Sequence, residues 1–110
     1  RQNLMTSFDN VYAIGDVTSV GTPKAGVFAE GAAKIAAASI IANYKGNENE
    51  AAYTGAGSCY IEFGKGEVAR VDVDFFSGPK PFGIHHDASE ALVIDKEQFG
   101  SSRKARWFGL

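Results

Sequence analysis

Thr6-Ser7-Phe8-Asp9-Asn10-Val11-Tyr12-Ala13-Ile14-Gly15-Asp16 is the stretch on which the fold of this chain turns. Val11-Tyr12-Ala13-Ile14 is continuously apolar, the pattern of a strand covered on both faces, as in a parallel sheet with helices above and below. The run ends abruptly on Gly15-Asp16. Strand ends of this kind are where α/β proteins place ligands. Gly15 has no side chain to hold a ligand off the backbone. The Asp16 carboxylate accepts hydrogen bonds and suits a sugar-like hydroxyl. Taken alone, Gly-Asp is more often an ordinary Asx turn.

Working outward, Thr22-Pro23 predicts a helix start, with Thr22 as cap and Pro23 at the first helical position. The N–H groups of Lys24, Ala25 and Gly26 would then point out of the helix end, where the dipole favours an anion. Solvent and the Thr22 cap are the commoner partners of such an end. The helix should run to about Tyr44 and stop at Lys45-Gly46, a cation followed by a terminating glycine. Its body of alanines with Val27, Phe28, Ile35, Ile40 and Ile41 is apolar nearly all round; Glu30 and Lys34 form one charged stripe. A helix of this kind is expected to be buried on most sides, and in isolation it should drive self-association.

The pattern Thr-x5-Val-Tyr-Ala-x-Gly-Asp, with Pro23-Lys24-Ala25-Gly26 behind it, resembles the second FAD-contacting motif of the pyridine nucleotide-disulfide oxidoreductase superfamily. Thr22-Pro23-Lys24-x-Gly26 looks most like the sulfide:quinone oxidoreductase, flavocytochrome c sulfide dehydrogenase and type II NADH dehydrogenase branch. The resemblance covers Thr6–Tyr44 and is looser over Gly55–Leu110. It implies that Gly15 and Asp16 approach the ribityl chain of FAD. It also implies that Pro23, Lys24, Ala25 and Gly26 bring a helix N-terminus to the flavin pyrimidine edge, which would stabilise the reduced form. NAD(P)H as a further cofactor of the parent protein, and a quinone or other electron acceptor, follow from the same resemblance.

Those enzymes carry G-x-G-x-x-G fingerprints for the FAD pyrophosphate and the nicotinamide cofactor. Here Gly55-Ala56-Gly57 provides only G-x-G, and the single methionine is Met5. The expectation is therefore a C-terminal piece of a longer protein. Its partner would be the missing N-terminal part. It would carry part of a flavin site and be inactive alone.

In the second half, Cys59-Tyr60-Ile61-Glu62-Phe63 and Ala69-Arg70-Val71-Asp72-Val73-Asp74-Phe75 alternate on either side of Gly64-Lys65-Gly66. This is a β-hairpin signal. Cys59, Ile61, Phe63, Val71, Val73 and Phe75 are expected inward, and Tyr60, Glu62, Asp72 and Asp74 on the wet face. Ser77-Gly78-Pro79-Lys80-Pro81 breaks the strand. Asp87-Ala88-Ser89-Glu90 reads as a capping box opening a short helix through Phe99. By the resemblance, Cys59 would be a thiol beside the flavin, the candidate catalytic residue. The plainer reading, a core cysteine on the apolar face, is favoured. Adjacent His85 and His86 make a poor pair of metal ligands and are assigned to a loop, so no metal site is expected. The tail Ser101–Leu110 carries Arg103, Lys104 and Arg106 beside Trp107, Phe108 and Leu110. It reads either as an anchor to an anionic membrane surface or as a tail with Trp107 packed on its own domain, the latter favoured.

A hydrophobic fraction of 45% supports a core, and a net charge of −2 argues against a nucleic-acid surface. A single cysteine excludes an intrachain disulfide framework and fits a reducing, cytoplasmic compartment. No apolar run is long enough to span a bilayer. The fold class expected is α+β: the end of an FAD-binding α/β domain over residues 1–46, then a small α+β domain over 47–110, with Gly46-Asn47-Glu48-Asn49-Glu50 as linker. The function expected is the C-terminal part of an FAD-dependent, homo-oligomeric oxidoreductase. The alternative is a non-catalytic dimerisation or docking module.

Overall fold

The computed structural model describes residues 2–48 and 51–110, so Asn49 and Glu50 of the expected linker lie outside the described residues. The fold is α+β, with helix α1 (Gly26–Lys45), strands β1 (Gly57–Gly64), β2 (Glu67–Asp74) and β3 (Phe82–Ser89), and helix α2 (Ala91–Phe108). The strands form one antiparallel sheet in the order β1-β2-β3. Two compact units result: Arg1–Gly57 with Val73–Gly83, and Ser58–Asp72 with Ile84–Leu110.

In the first unit, the stretch expected to be a buried strand forms no ladder strand: residues 7–10 turn the chain back and Gly15–Val17 is a 3₁₀ turn. Tyr12 makes a single antiparallel bridge to Met5. Thr6 N–H donates to Val11 O at 2.8 Å and Ala13 N–H to Leu4 O at 3.1 Å, which folds residues 4–13 into a small loop closed on itself. Val11 and Ile14 remain 50% and 38% exposed. The apolar run has the composition of a doubly covered strand, but among the described residues only residues 4–6 lie along it, and one short neighbour cannot bury both faces.

Helix α1 begins at Gly26, with Ala25 as its N-cap at φ −152° and no side-chain capping bond. The expected start at Thr22-Pro23 is therefore displaced. The Lys24 ammonium donates to the main-chain carbonyl of Asp16, a contact between this non-helical segment and the Gly15 turn. The other end is as expected. Gly46 adopts φ +69°, Gly46 N–H donates to Asn43 O and Asn47 N–H to Ala42 O, a Schellman termination. Phe28, Ala32, Ala36 and Ser39 are buried. They fall on one stripe, not on most sides, and Ile40, Ile41 and Tyr44 are exposed. The core joins Leu4, Ala32, Ala36 and Tyr53, with Tyr12, Val20, Ile35 and Phe76 against it. Phe28 meets Phe75 edge-on at 5.8 Å between ring centroids. Gly55 is needed here: at φ +67°, an added Cβ would come within 3.0 Å of Phe75 and Phe76.

The β1–β2 hairpin forms where alternation predicts it. Lys65 and Gly66 both have positive φ, as a two-residue type I′ turn requires. Asp74 ends β2 by accepting from the N–H groups of Phe76 and Ser77, an Asx-type stop. Several expectations are corrected in the second unit. His85 and His86 lie on β3, not in a loop. Helix α2 runs through Phe108, so Ser101–Phe108 is helix and not tail. Its first turn is closed by Leu92 N–H donating to Ser89 Oγ at 3.4 Å, with no capping-box return from Glu90. Trp107 is 55% exposed and does not pack as the favoured reading expected.

A further correction concerns the sheet face. Helix α2 meets Tyr60, Glu62 and Arg70: Tyr60 stacks edge-on with Phe99 at 5.2 Å, Lys96 pairs with Glu62, and Asp95 takes hydrogen bonds from Tyr60 and Arg70. Helix α2 thus meets the face expected to be wet, although Glu62 there stays exposed, and on the other face Ile61 and Phe63 are exposed. Polar side chains can line a covered face because each finds a hydrogen-bond or ionic partner on the helix.

Candidate functional site

The residues singled out around Gly15 and the start of α1 converge. Gly15, Asp16, Pro23, Lys24 and Ala25 line one cleft in the first unit, with Phe28, Ala29 and Tyr53 as part of its apolar floor. Gly26 opens α1 immediately beside them. Gly15 starts a 3₁₀ turn, Gly15–Val17, whose carbonyl accepts from Thr18 N–H at 3.1 Å and Thr18 Oγ1 at 2.8 Å. At φ +74°, with an added Cβ 3.5 Å from Ala29 Cβ, the position favours glycine on conformational grounds. The turn presents Asp16 to solvent. The floor is rigid: buried Tyr53 donates its hydroxyl to Phe28 O at 3.0 Å.

The helix end is shifted relative to expectation. The N–H groups of Phe28 and Ala29 donate to Ala25 O at 3.1 and 3.2 Å. Gly26 and Val27 therefore offer the open N–H groups, not Lys24 and Ala25. A 20-residue helix carries roughly half a positive charge at this end. A carboxylate acceptor and two main-chain donors at a helix start suit a ligand with a hydroxylated chain and an acceptor-rich edge, as a flavin has. The cleft measures about 10 Å³, room for one water molecule. These residues fit the polar part of such a group as an open rim and do not enclose it. Cys59 lies half-buried on β1 in the second unit, as a free thiol.

The second unit contains a polar network that sequence reasoning missed. Arg70 donates to Asp95 at 2.6 Å and pairs with Asp72 at 3.1 Å. Asp72 also accepts from Ser58 Oγ at 2.5 Å and meets His86 Nε2 at 2.6 Å. Tyr60 donates to Asp95 at 2.8 Å. Arg70 Nε is buried without a hydrogen-bond partner among the described residues. The charges respond. The hydrogen bond to Asp95 raises the Arg70 guanidinium above its usual range. Burial, then the hydrogen bond to Asp95, pushes the Tyr60 hydroxyl up. Burial pushes the Asp72 carboxyl up, but hydrogen bonds from Ser58 and His86 and the nearby Arg70 outweigh it and hold it low. Tyr60 and Arg70 hold Asp95 low. One signal could have found this network: Ser58, Tyr60 and Glu62 alternate on β1, and Arg70 and Asp72 alternate on β2. The pattern shows that they share faces but not that a helix covers them. Among the described residues no group of three or more His, Cys, Asp or Glu side chains is placed to hold a metal ion. No described helix is long and apolar enough to cross a membrane.

No protein-family model, curated protein or solved structure matches the chain.

Proposed function

We propose that the first unit supplies one wall of a flavin site. The chain would work as the C-terminal part of an FAD-dependent oxidoreductase resembling the sulfide:quinone oxidoreductase and NAD(P)H dehydrogenase branch of the pyridine nucleotide-disulfide oxidoreductases. The observation that supports this most is the meeting of Gly15-Asp16 with the start of α1 at one cleft. Residues 15–16 and 23–25 line this cleft together. Asp16 would hold a ribityl hydroxyl, and the N–H groups of Gly26 and Val27 would face the pyrimidine edge. Flavin, when bound, supplies hydride and electron-pair chemistry; the protein's part is to bind, orient and set the local field.

The exposed Val11 and Ile14 agree with a further polypeptide covering this segment in the complete flavoprotein. Sulfide or NAD(P)H would be the donor and a quinone or other oxidant the acceptor. Cys59 would carry sulfur if sulfide is the donor. The alternative reading, an assembly module, draws on the exposed Ile40, Ile41 and Tyr44 of α1.

The deciding experiment is the absorbance spectrum of the native polypeptide that contains this sequence, followed by anaerobic addition of sulfide or NADH in separate cuvettes. Bound flavin that is lost in Asp16→Ala with the fold retained supports the flavin reading. A native polypeptide that purifies free of flavin overturns it. Retained flavin in Asp16→Ala with a changed oligomeric state favours assembly. Bleaching by sulfide that disappears in Cys59→Ser assigns the thiol its role, and unchanged turnover removes it.

A further inference from the structure

We propose that the groove at the C-terminal end of α1 binds a neutral, hydroxyl-rich ligand, in chemical class a pyranose sugar. The groove belongs to the first unit and has a volume of about 450 Å³, within the roughly 300–1,000 Å³ of small-molecule sites. It lies at the opposite end of α1 from the Gly15 cleft, and the inference does not rest on the flavin reading.

Its lining is dominated by side-chain amides. Asn3, Asn10, Asn43 and Asn47 converge there with Asp9 and Tyr12. Two of the amides, Asn10 and Asn43, are paired before any ligand arrives. Asn10 sits in the left-handed region at φ +62°, a conformation Asn tolerates. Its side-chain oxygen accepts from the Asn43 amide at 2.6 Å. That bond leaves the Asn43 oxygen as an acceptor and the Asn10 amide as a double donor. Among the described residues the Asp9 carboxylate and the Asn47 amide make no hydrogen bond. Tyr12 is fixed by packing against the core of Leu4, Ala32, Ala36 and Tyr53. Tyr12 and Met5 also line the groove beside the amides.

The chemistry of this set selects its ligand. The end of α1 carries partial negative charge, and Asp9 adds a full one, so phosphate and carboxylate ligands are repelled. No cation lines the groove. An ammonium ligand would satisfy Asp9 but has only donors, and it would face the amide N–H groups unmatched. Adjacent sugar hydroxyls both donate and accept, which is what an amide rim offers in return, and the C–H face of a pyranose can lie on an aromatic ring. Sequence reasoning took Asp9 and Asn10 as part of a strand; only the closed loop of residues 4–13 brings them to Asn43.

The test is a titration of the isotope-labelled chain, followed by the side-chain amide signals of Asn10, Asn43 and Asn47. The probes are methyl β-glucopyranoside and methyl β-galactopyranoside, with methylammonium chloride and sodium phosphate as comparison arms. The expected result is saturable shifts with at least one glycoside, weakened about tenfold in Asn43→Leu, the loss of roughly one hydrogen bond with its partner left unmet. Asn47→Leu, at an exposed position, gives the same readout should Asn43→Leu not fold. Absence of saturable shifts with both glycosides overturns the proposal. So do shifts unchanged in the variants, or tighter binding of methylammonium or phosphate.

Discussion

Arg70 grips two carboxylates at once, Asp95 on α2 and Asp72 on its own strand, and the pH response of the second unit follows from that grip. Asp72 and Asp95 titrate below their usual value. Groups depressed in the folded state stabilise it above the unfolded carboxyl pKa of about 3.9, and that stability is lost as pH falls through the folded value. Tyr60 is raised, so its contribution is present below about pH 10 and lost on the alkaline side. Urea midpoints should therefore hold level through neutral pH, fall below about pH 4 and fall again above about pH 10. Asp95→Asn should flatten the acid limb, and an unchanged limb would show that the network does not couple to folding. In the first unit, Tyr53→Phe removes one buried hydroxyl bond to Phe28 O. It should cost about 1 kcal/mol in urea denaturation. Gly15→Ala forces a Cβ into φ +74°, at a cost of about 1 kcal/mol. It should also weaken flavin binding if Asp16 is held by this turn.

At the scale of elements, α1 and α2 are held by different means. α1 is pinned by one apolar stripe, and Phe28 is its largest buried residue. Phe28→Ala should cost about 3–5 kcal/mol by leaving a cavity under the cleft. α2 is pinned by polar pairs and one aromatic contact, since none of its residues is fully buried. Phe99→Ala removes the edge-on contact with Tyr60 and the ring beneath Arg103. The aromatic contact alone is worth about 0.5–1.5 kcal/mol. The expected outcome is loss of near-ultraviolet signal from Tyr60 with helix content largely kept; a variant with unchanged spectrum and midpoint would mean that α2 docks without this pair. The hairpin was legible because β1 and β2 alternate on either side of a glycine turn. β3 was not. His85-His86-Asp87 has the composition of a loop, but it pairs as part of β3 beside β2, where Asp72 and Arg70 meet the His86 ring.

For the whole molecule, the notable quantity is apolar surface left in water. Tyr44 is 92% exposed, and Ile40, Ile41, Val17, Phe108 and Leu110 are also exposed. Surfaces of this kind drive association. Sedimentation of the chain should depend on concentration. Replacing Ile40 and Ile41 together by Lys should reduce that dependence while changing stability by no more than about 0.5 kcal/mol at each exposed site. A monomer at all concentrations would remove the support these residues give to an assembly role.

Sequence alone determined the local features: the hairpin and its turn, the stop of α1 at Gly46, and the break at Ser77–Pro81. Each depends on neighbouring residues through backbone conformation, period or capping, so each is written locally. Tertiary structure decided the rest. It set the start of α1 at Gly26, past the Thr22-Pro23 signal. It brought Asn10 to Asn43 across 33 residues. It also placed α2 over the polar face of the sheet. Alternation sorts side chains onto two faces, but which face is covered depends on whether the covering element can satisfy it. Asp95, Lys96 and Phe99 meet Arg70, Glu62 and Tyr60, so α2 lies on the polar face.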